Sequence, residues 1–190
     1  MKKLTTTHYV LIGVAVAALL LVFWFIGTYN SLIKLNNAVD NQWAQVENQY
    51  QRRADLIPNL ISTVKGFAKQ ELTIFTEVTK LRSQWAAATT RSDKINAANA
   101  MDSGLSRLLV VAESYPQLKS NENFLALQAQ LEGTENRVAV ERQRYNDQVL
   151  LFNNKIQTIP SVFLAKLLGY EKKDYFQVEE GKEAVPVVEF

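Results

Sequence analysis

Chemistry in a folded chain needs acids, bases, nucleophiles or metal ligands at workable spacings, and this sequence supplies few of them. His8 is the single histidine, and cysteine is absent. A zinc HExxH site, a di-iron pair of ExxH motifs and a Ser-His-Asp triad each need a histidine placed beside its partners, and one histidine ahead of a long apolar run serves none of them. Without cysteine there are no disulfides, thiolate zinc sites or cysteine nucleophiles. Seven glycines stand singly, so no phosphate-cradling loop or dinucleotide fingerprint forms. A carboxylate pair remains: Glu132 and Glu135, one helical turn apart. Glu132 reads as solvated, and Glu135 as a polar insert in an apolar stripe. No catalytic residue, cofactor or metal is expected, and the chain reads as a non-enzyme.

More informative are the charges that interrupt apolar stripes: Arg53 and Glu71 in one, Glu135 and Arg142 in another. Arginine forks onto a carboxylate, and removing one partner of a buried pair costs about 3–5 kcal/mol. These residues read as setting helix register or subunit pairing. The plainer reading is that their long side chains snorkel out of a loosely covered seam. Arg53 and Glu71 lie much farther apart in sequence than Glu135 and Arg142, so rigid helices allow at most one cross-pair within a chain.

The elements that must carry these residues are helical. Of 190 residues, 21 are basic and 19 acidic. Lys2 and Lys3 precede the first apolar run, so the remainder is formally neutral and lacks the basic excess of a nucleic-acid binder. Val10 to Ile26 is uncharged, and with its aromatic flanks the run extends from Tyr9 to Tyr29. That matches the ~20 residues of a membrane-spanning helix. It ends in Phe23-Trp24-Phe25-Ile26, bulky where a signal-peptidase site wants small residues, so an uncleaved anchor is expected. Lys2 and Lys3 keep the N-terminus in the cytoplasm by the positive-inside rule.

Beyond the anchor, two interleaved rows step in sevens. Trp43, Tyr50, Ile57, Val64, Glu71, Val78 and Trp85 form one; Val39, Val46, Arg53, Leu60, Phe67, Ile74 and Leu81 form the other. This predicts one long helix ending near Ala86–Thr90, with Trp43 and Trp85 in its core. The rhythm passes straight through Pro58, which reads as a bend that loses only the bond to the Ala54 carbonyl. Ser92 offers the next N-cap. The second stripe is Ile95, Ala98, Met101, Leu105, Leu108, Ala112 and Tyr115, stopped at Tyr115-Pro116. A third helix spans about Asn121 to Thr158, with a stripe from Phe124 through Leu131, Val138, Tyr145, Val149 and Phe152 to Ile156 and Ile159. Pro160 opens a short fourth helix stopped at Gly169.

The expectation is therefore an all-α chain. Residues 1–8 form an N-terminal cytoplasmic tail, 9–29 a transmembrane anchor, 30–169 an elongated antiparallel bundle of three long helices and a short fourth, and 170–190 an acidic extended tail. A first helix that outruns its neighbours leaves Val39, Trp43, Val46 and Tyr50 as the expected oligomer contact.

Three blocks carry a family resemblance. YNSLIKLNNAVDNQWAQVENQYQRRADLIPNLISTVKGFA, ESYPQLKSNENFLALQAQLEGTENRVAVERQRYNDQVLLFNNKIQTIPS and the closing YFQVEEG…VPVVEF resemble the LemA family, in the same order and from about Tyr29 to Phe190. The resemblance implies an N-terminal anchor, an antiparallel four-helix bundle and no established catalysis. It also implies a membrane role in bacteria, since members have been tied to envelope stress, membrane metalloproteases and magnetosome membranes. Matching positions are Arg52, Arg53, Asp55, Pro58 and Asn59, then Glu132, Gly133, Glu135, Asn136, Arg137, Arg142, Tyr145 and Asn146. They transfer only as a polar cluster of structural or interaction type.

Two functions follow. The first is a non-enzymatic scaffold in the bacterial inner membrane, single-pass, its bundle extracytoplasmic, self-assembling to organise or remodel the envelope. The second is an adaptor for a membrane protease or envelope-stress partner. Its ligand would be the tail residues Val185, Val187, Val188 and Phe190, whose alternation suits strand addition; the plainer reading is that this tail folds back on its own bundle. Partners are then further copies of the chain, lipids around the anchor and such an envelope protein, with no nucleic acid.

Overall fold

From His8 to Gly27 every residue of the first helix is exposed, and immediately beyond, Thr28, Leu32 and Val39 are buried. This helix, α1 (Thr6–Phe67), is long and apolar enough to cross a membrane, and none of its apolar window is covered by protein. The computed structural model describes residues 6–177, and among them every regular element is a helix. After α1 come α2 (Leu72–Ala87), α3 (Arg91–Glu113), α4 (Pro116–Lys119), α5 (Glu122–Gln157) and α6 (Ser161–Leu167). Residues 1–5 of the expected N-terminal tail and the candidate ligand residues Val185, Val187, Val188 and Phe190 lie outside the described residues.

The chain packs as two units. The first unit holds α1 as far as Asn41 together with Asp147–Lys173. Its buried residues include Leu32 and Val39 from α1, Val149, Phe152 and Ile156 from α5, and Leu164 and Ala165 from α6. Gly169 ends α6 in the left-handed conformation, at φ 71°. There the Tyr170 N–H donates to the Ala165 carbonyl and the Gly169 N–H to Lys166, the paired bonds of a Schellman cap. Tyr170 then meets Phe152 edge-on, and Asn153 bonds both the N–H and the carbonyl of Lys173.

The second unit holds Gln42–Asn146 and the residues from Asp174. Here the expected long first helix is corrected. α1 stops at Phe67, a turn occupies Lys69-Gln70, and α2 doubles back. Trp85 comes within 6.4 Å of Tyr50, ring to ring, where an unbroken helix would hold them about 50 Å apart. Ala68 and Phe75 are buried in place of Phe67 and Ile74, and Glu71 accepts the Tyr115 hydroxyl bond. The polar run Lys69-Gln70-Glu71 has no apolar side to bury, so the chain reverses there and both arms present their stripes to one core.

That reversal also overturns the expected oligomer contact. Val39, Trp43, Val46 and Tyr50 are buried within the chain itself. Trp43 and Tyr50 are covered by Tyr145, Trp85 and Phe176. Smaller corrections follow local chemistry. The N-cap of α3 is Thr90, not Ser92, because its hydroxyl accepts from the Asp93 N–H. Pro116 opens the short α4 at its first turn, where a missing N–H costs nothing. Ile159, placed in the third stripe, is 81% exposed, because α5 has ended two residues earlier.

Pro58 lies inside α1 on its exposed side. It withholds the N–H that would reach the Ala54 carbonyl. Arg82 of α2 takes that place, its Nε donating to the Ala54 oxygen at 2.9 Å. The proline thus frees an acceptor that fastens the returning arm of the hairpin. Replacing Arg82 by Met should lower unfolding stability by about 0.5–1.5 kcal/mol. In a Pro58→Ala background, where residue 58 supplies its own N–H, the same change should cost clearly less. A denaturant titration followed by circular dichroism of the full chain in detergent measures both. Equal costs would show that Arg82 does not serve the freed carbonyl.

Candidate functional site

In the second unit, α1, α3 and α5 each bring a charged residue to the same buried place. Asp102 of α3 is 8% exposed and accepts from three side chains. Arg53 of α1 donates to its Oδ1 at 2.7 Å, the Tyr50 hydroxyl to its Oδ2 at 2.9 Å, and Arg142 of α5 to Oδ2 as well. Arg53, itself 5% exposed, also pairs through its second terminal nitrogen with Glu135, whose side chain is half-exposed. Two arginines and two carboxylates balance in formal charge. Burial pulls the Arg142 guanidinium down to about 10, which leaves it cationic at neutral pH.

The expected cross-pairing thus resolves in one direction. Arg53 meets Glu135, while Glu71 meets Tyr115 rather than Arg142. The residue that completes the network, Asp102, went unrecognised in the sequence. A signal existed: it is the sole acid in α3 between Asp93 in the first turn and Glu113 at the end. It sits beside Met101 of the stripe, and two stripe arginines needed a carboxylate.

Below the network, aromatic rings and a strap of chain close the core. Phe176 stacks on Tyr50 with centroids 5.8 Å apart and planes 7° from parallel, and the Arg142 guanidinium lies 4.4 Å from its centroid. Trp43 packs edge-on to Tyr145 at 5.2 Å, with the Arg91 guanidinium 5.3 Å from the Trp43 ring. The strap itself is pinned by its backbone. The Tyr145 hydroxyl donates to the Asp174 carbonyl, and Asn146 both donates to the Phe176 carbonyl and accepts from its N–H. Asn99 of α3 donates to the Gln177 carbonyl. The run Arg142–Tyr145–Asn146 is therefore a clamp on residues 174–177, built from consecutive turns of α5.

Other residues singled out in the sequence lie apart from this cluster. Arg52, Asp55, Gly133 and Arg137 line a surface groove with Leu56 and Thr134. Gln51 donates to Asp55, and Gln128 to Glu132. Pro58, Asn59, Glu132 and Asn136 are exposed. Chemically, Asp102 gathers two guanidinium groups and a phenol hydroxyl from two neighbouring helices. The arrangement holds three helices and a strap in one register.

A family model described as the LemA family matches residues 42–190. Among curated proteins, magnetosome protein MamQ 2 of Paramagnetospirillum magneticum is 24% identical, the match covering 85% of this chain and 71% of that protein. Magnetosome protein MamQ of Magnetospirillum gryphiswaldense is 23% identical over 78% of this chain and 64% of its own length. Protein LemA of Metamycoplasma hominis is 22% identical over 83% and 73%.

The network makes a graded prediction. Asp102→Asn leaves two buried guanidinium groups facing a neutral amide and should destabilise the fold by about 3–5 kcal/mol. Glu135→Gln removes a half-exposed partner and should cost no more than about 1 kcal/mol. Urea unfolding of both variants in detergent reads the difference. Comparable losses would mean that burial does not rank these carboxylates.

Proposed function

We propose that this chain, which belongs to the LemA family, is a non-enzymatic scaffold anchored in the bacterial inner membrane by α1. The observation that carries this reading is the change of environment along α1. Its apolar run is wholly exposed, and the same helix continues into buried core from Thr28. An exposed helix of that length and apolarity suits the interior of a bilayer. The N-terminus faces the cytoplasm, following Lys2 and Lys3, and the antiparallel bundle stands on the extracytoplasmic side. Asp102, which ties α3 to α1 and α5, supports a structural role. The relatives named for the magnetosome support a place at a specialised membrane.

In this reading copies of the chain assemble laterally and organise or remodel the envelope. Since Val39, Trp43, Val46 and Tyr50 are already covered, assembly uses the exposed faces, among them Leu125, Val140 and Val110. A second reading, an adaptor for a membrane protease or envelope-stress partner, is favoured by the clamp on residues 174–177. The acidic sequence beyond Gln177 then continues from a fixed point of the bundle.

The mass and shape of the full chain, extracted in mild detergent and imaged as single particles, test the scaffold. Large symmetric particles are expected. A monodisperse monomer would overturn assembly and turn attention to capture of a partner by the tail.

A further inference from the structure

One apolar face of the first unit is left without a protein partner. Ile159, Phe163 and Leu167 are 81%, 68% and 78% exposed. Phe163 and Leu167 are one turn apart on α6, and Ile159 lies in the turn that leads into it. The opposite side of α6 is anchored: Leu164 and Ala165 are buried, and the chain after it returns to α5 through Tyr170 and Lys173. This short helix therefore holds three large apolar side chains outward from a fixed mount.

The position of α6 identifies what covers them. In the first unit α1 buries side chains only from Thr28 to Val39. That is about 16 Å of helix at ~1.5 Å per residue. α6 packs in this same unit, whose buried part of α1 begins directly after the apolar run, where a bilayer surface would be. The charge around it agrees. From Lys155 to Lys173 the sequence holds Lys155, Lys166, Lys172 and Lys173 against a single acid, Glu171. An apolar face within a lysine-rich stretch is the pattern of a helix lying in the headgroup region of an anionic membrane. A second copy of the chain is a poorer occupant. Three side chains cover far less than the ~1,200 Å² that a specific interface buries.

We infer that α6 is an interfacial membrane contact: Ile159, Phe163 and Leu167 insert into the lipid surface beside the α1 span, with Lys166 and its neighbours meeting anionic headgroups. The inference rests on α1 being the anchor, so its test carries both.

The chain has no cysteine, so a single introduced cysteine accepts one fluorescent label. Full-length Phe163→Cys, Leu167→Cys and Leu19→Cys proteins, each labelled, are reconstituted into phosphatidylcholine vesicles with and without phosphatidylglycerol. Quenching is then read with nitroxide lipids labelled at shallow and deep acyl positions, and with aqueous iodide. The expected result is shallow-lipid quenching at positions 163 and 167, at a depth of about 5–10 Å below the headgroups. It should strengthen with phosphatidylglycerol, while position 19 is quenched by the deep label. If 163 and 167 stay open to iodide while 19 is deep, the inference is overturned and the anchor stands. Shielding from iodide without lipid quenching also overturns it, since a second copy or another protein face then covers α6. Failure of position 19 to meet the deep label overturns the anchor, and the inference with it.

Discussion

Two guanidinium groups inside a helical core set the terms for everything packed around them. Arg53 and Arg142 are carried by α1 and α5, and neither helix offers the other a fully buried carboxylate. Asp102 of α3 answers both, and the Tyr50 hydroxyl takes a further place on it. Taking one ion from water into such a place costs several kcal/mol, recovered only when partners and geometry are right. So α3 must sit where its single internal acid reaches both arginines at once. The hairpin between α2 and α3 follows from that placement. Gly104 marks the same close packing: a Cβ there would stand 2.6 Å from a Leu81 methyl, which would have to shift to admit it.

The aromatic layer continues the argument rather than decorating it. The Arg142 guanidinium lies 4.4 Å from the Phe176 centroid and 5.3 Å from that of Tyr50, so its charge meets ring π-density as well as the Asp102 carboxylate. Phe176 arrives from the end of the described chain, and its position depends on hydrogen bonds from Tyr145 and Asn146 to the backbone on either side. Because those bonds are made to backbone atoms, the strap's path is defined whatever its side chains are; only Phe176 contributes a large apolar group. One turn and a half of α5 therefore supplies an ion partner, a core ring and a backbone clamp.

How much of this was legible in the sequence divides along physical lines. The apolar run, the stripes of α3 and α5 and the continuity of α1 through Pro58 follow from side-chain periodicity, which local geometry dictates. The reversal at Lys69-Gln70 did not show itself, because a hairpin whose two arms face one core keeps the seven-residue rhythm on both sides of the turn. Val64 and Val78 are both buried, and nothing in their spacing tells a straight helix from a folded one. Missing the reversal made Val39 to Tyr50 look uncovered. Asp102 was missed for a related reason. It flanks its stripe instead of interrupting it, and only the three-dimensional meeting of three helices turns it inward. Ile159 was placed in the third stripe, since periodicity does not report that a helix has ended.

The same self-similarity explains why a chain would keep so costly a network. Buried ion clusters replaced by apolar side chains of similar volume often leave a protein as stable or more so. Stability alone is thus a weak reason for Arg53, Asp102 and Arg142. Repeating stripes bring a different hazard. Sliding α1 along α5 by one heptad, about 10 Å, would again match apolar side chains with apolar side chains. It would also carry Arg53 away from both Glu135 and Asp102 and strand two charges in the core. Only one register satisfies the four ions together, and that register seats Phe176 under Arg142. A slip of one heptad is thus costlier with these ions than without them, and specificity of register is what a bundle built from repetitive stripes most lacks.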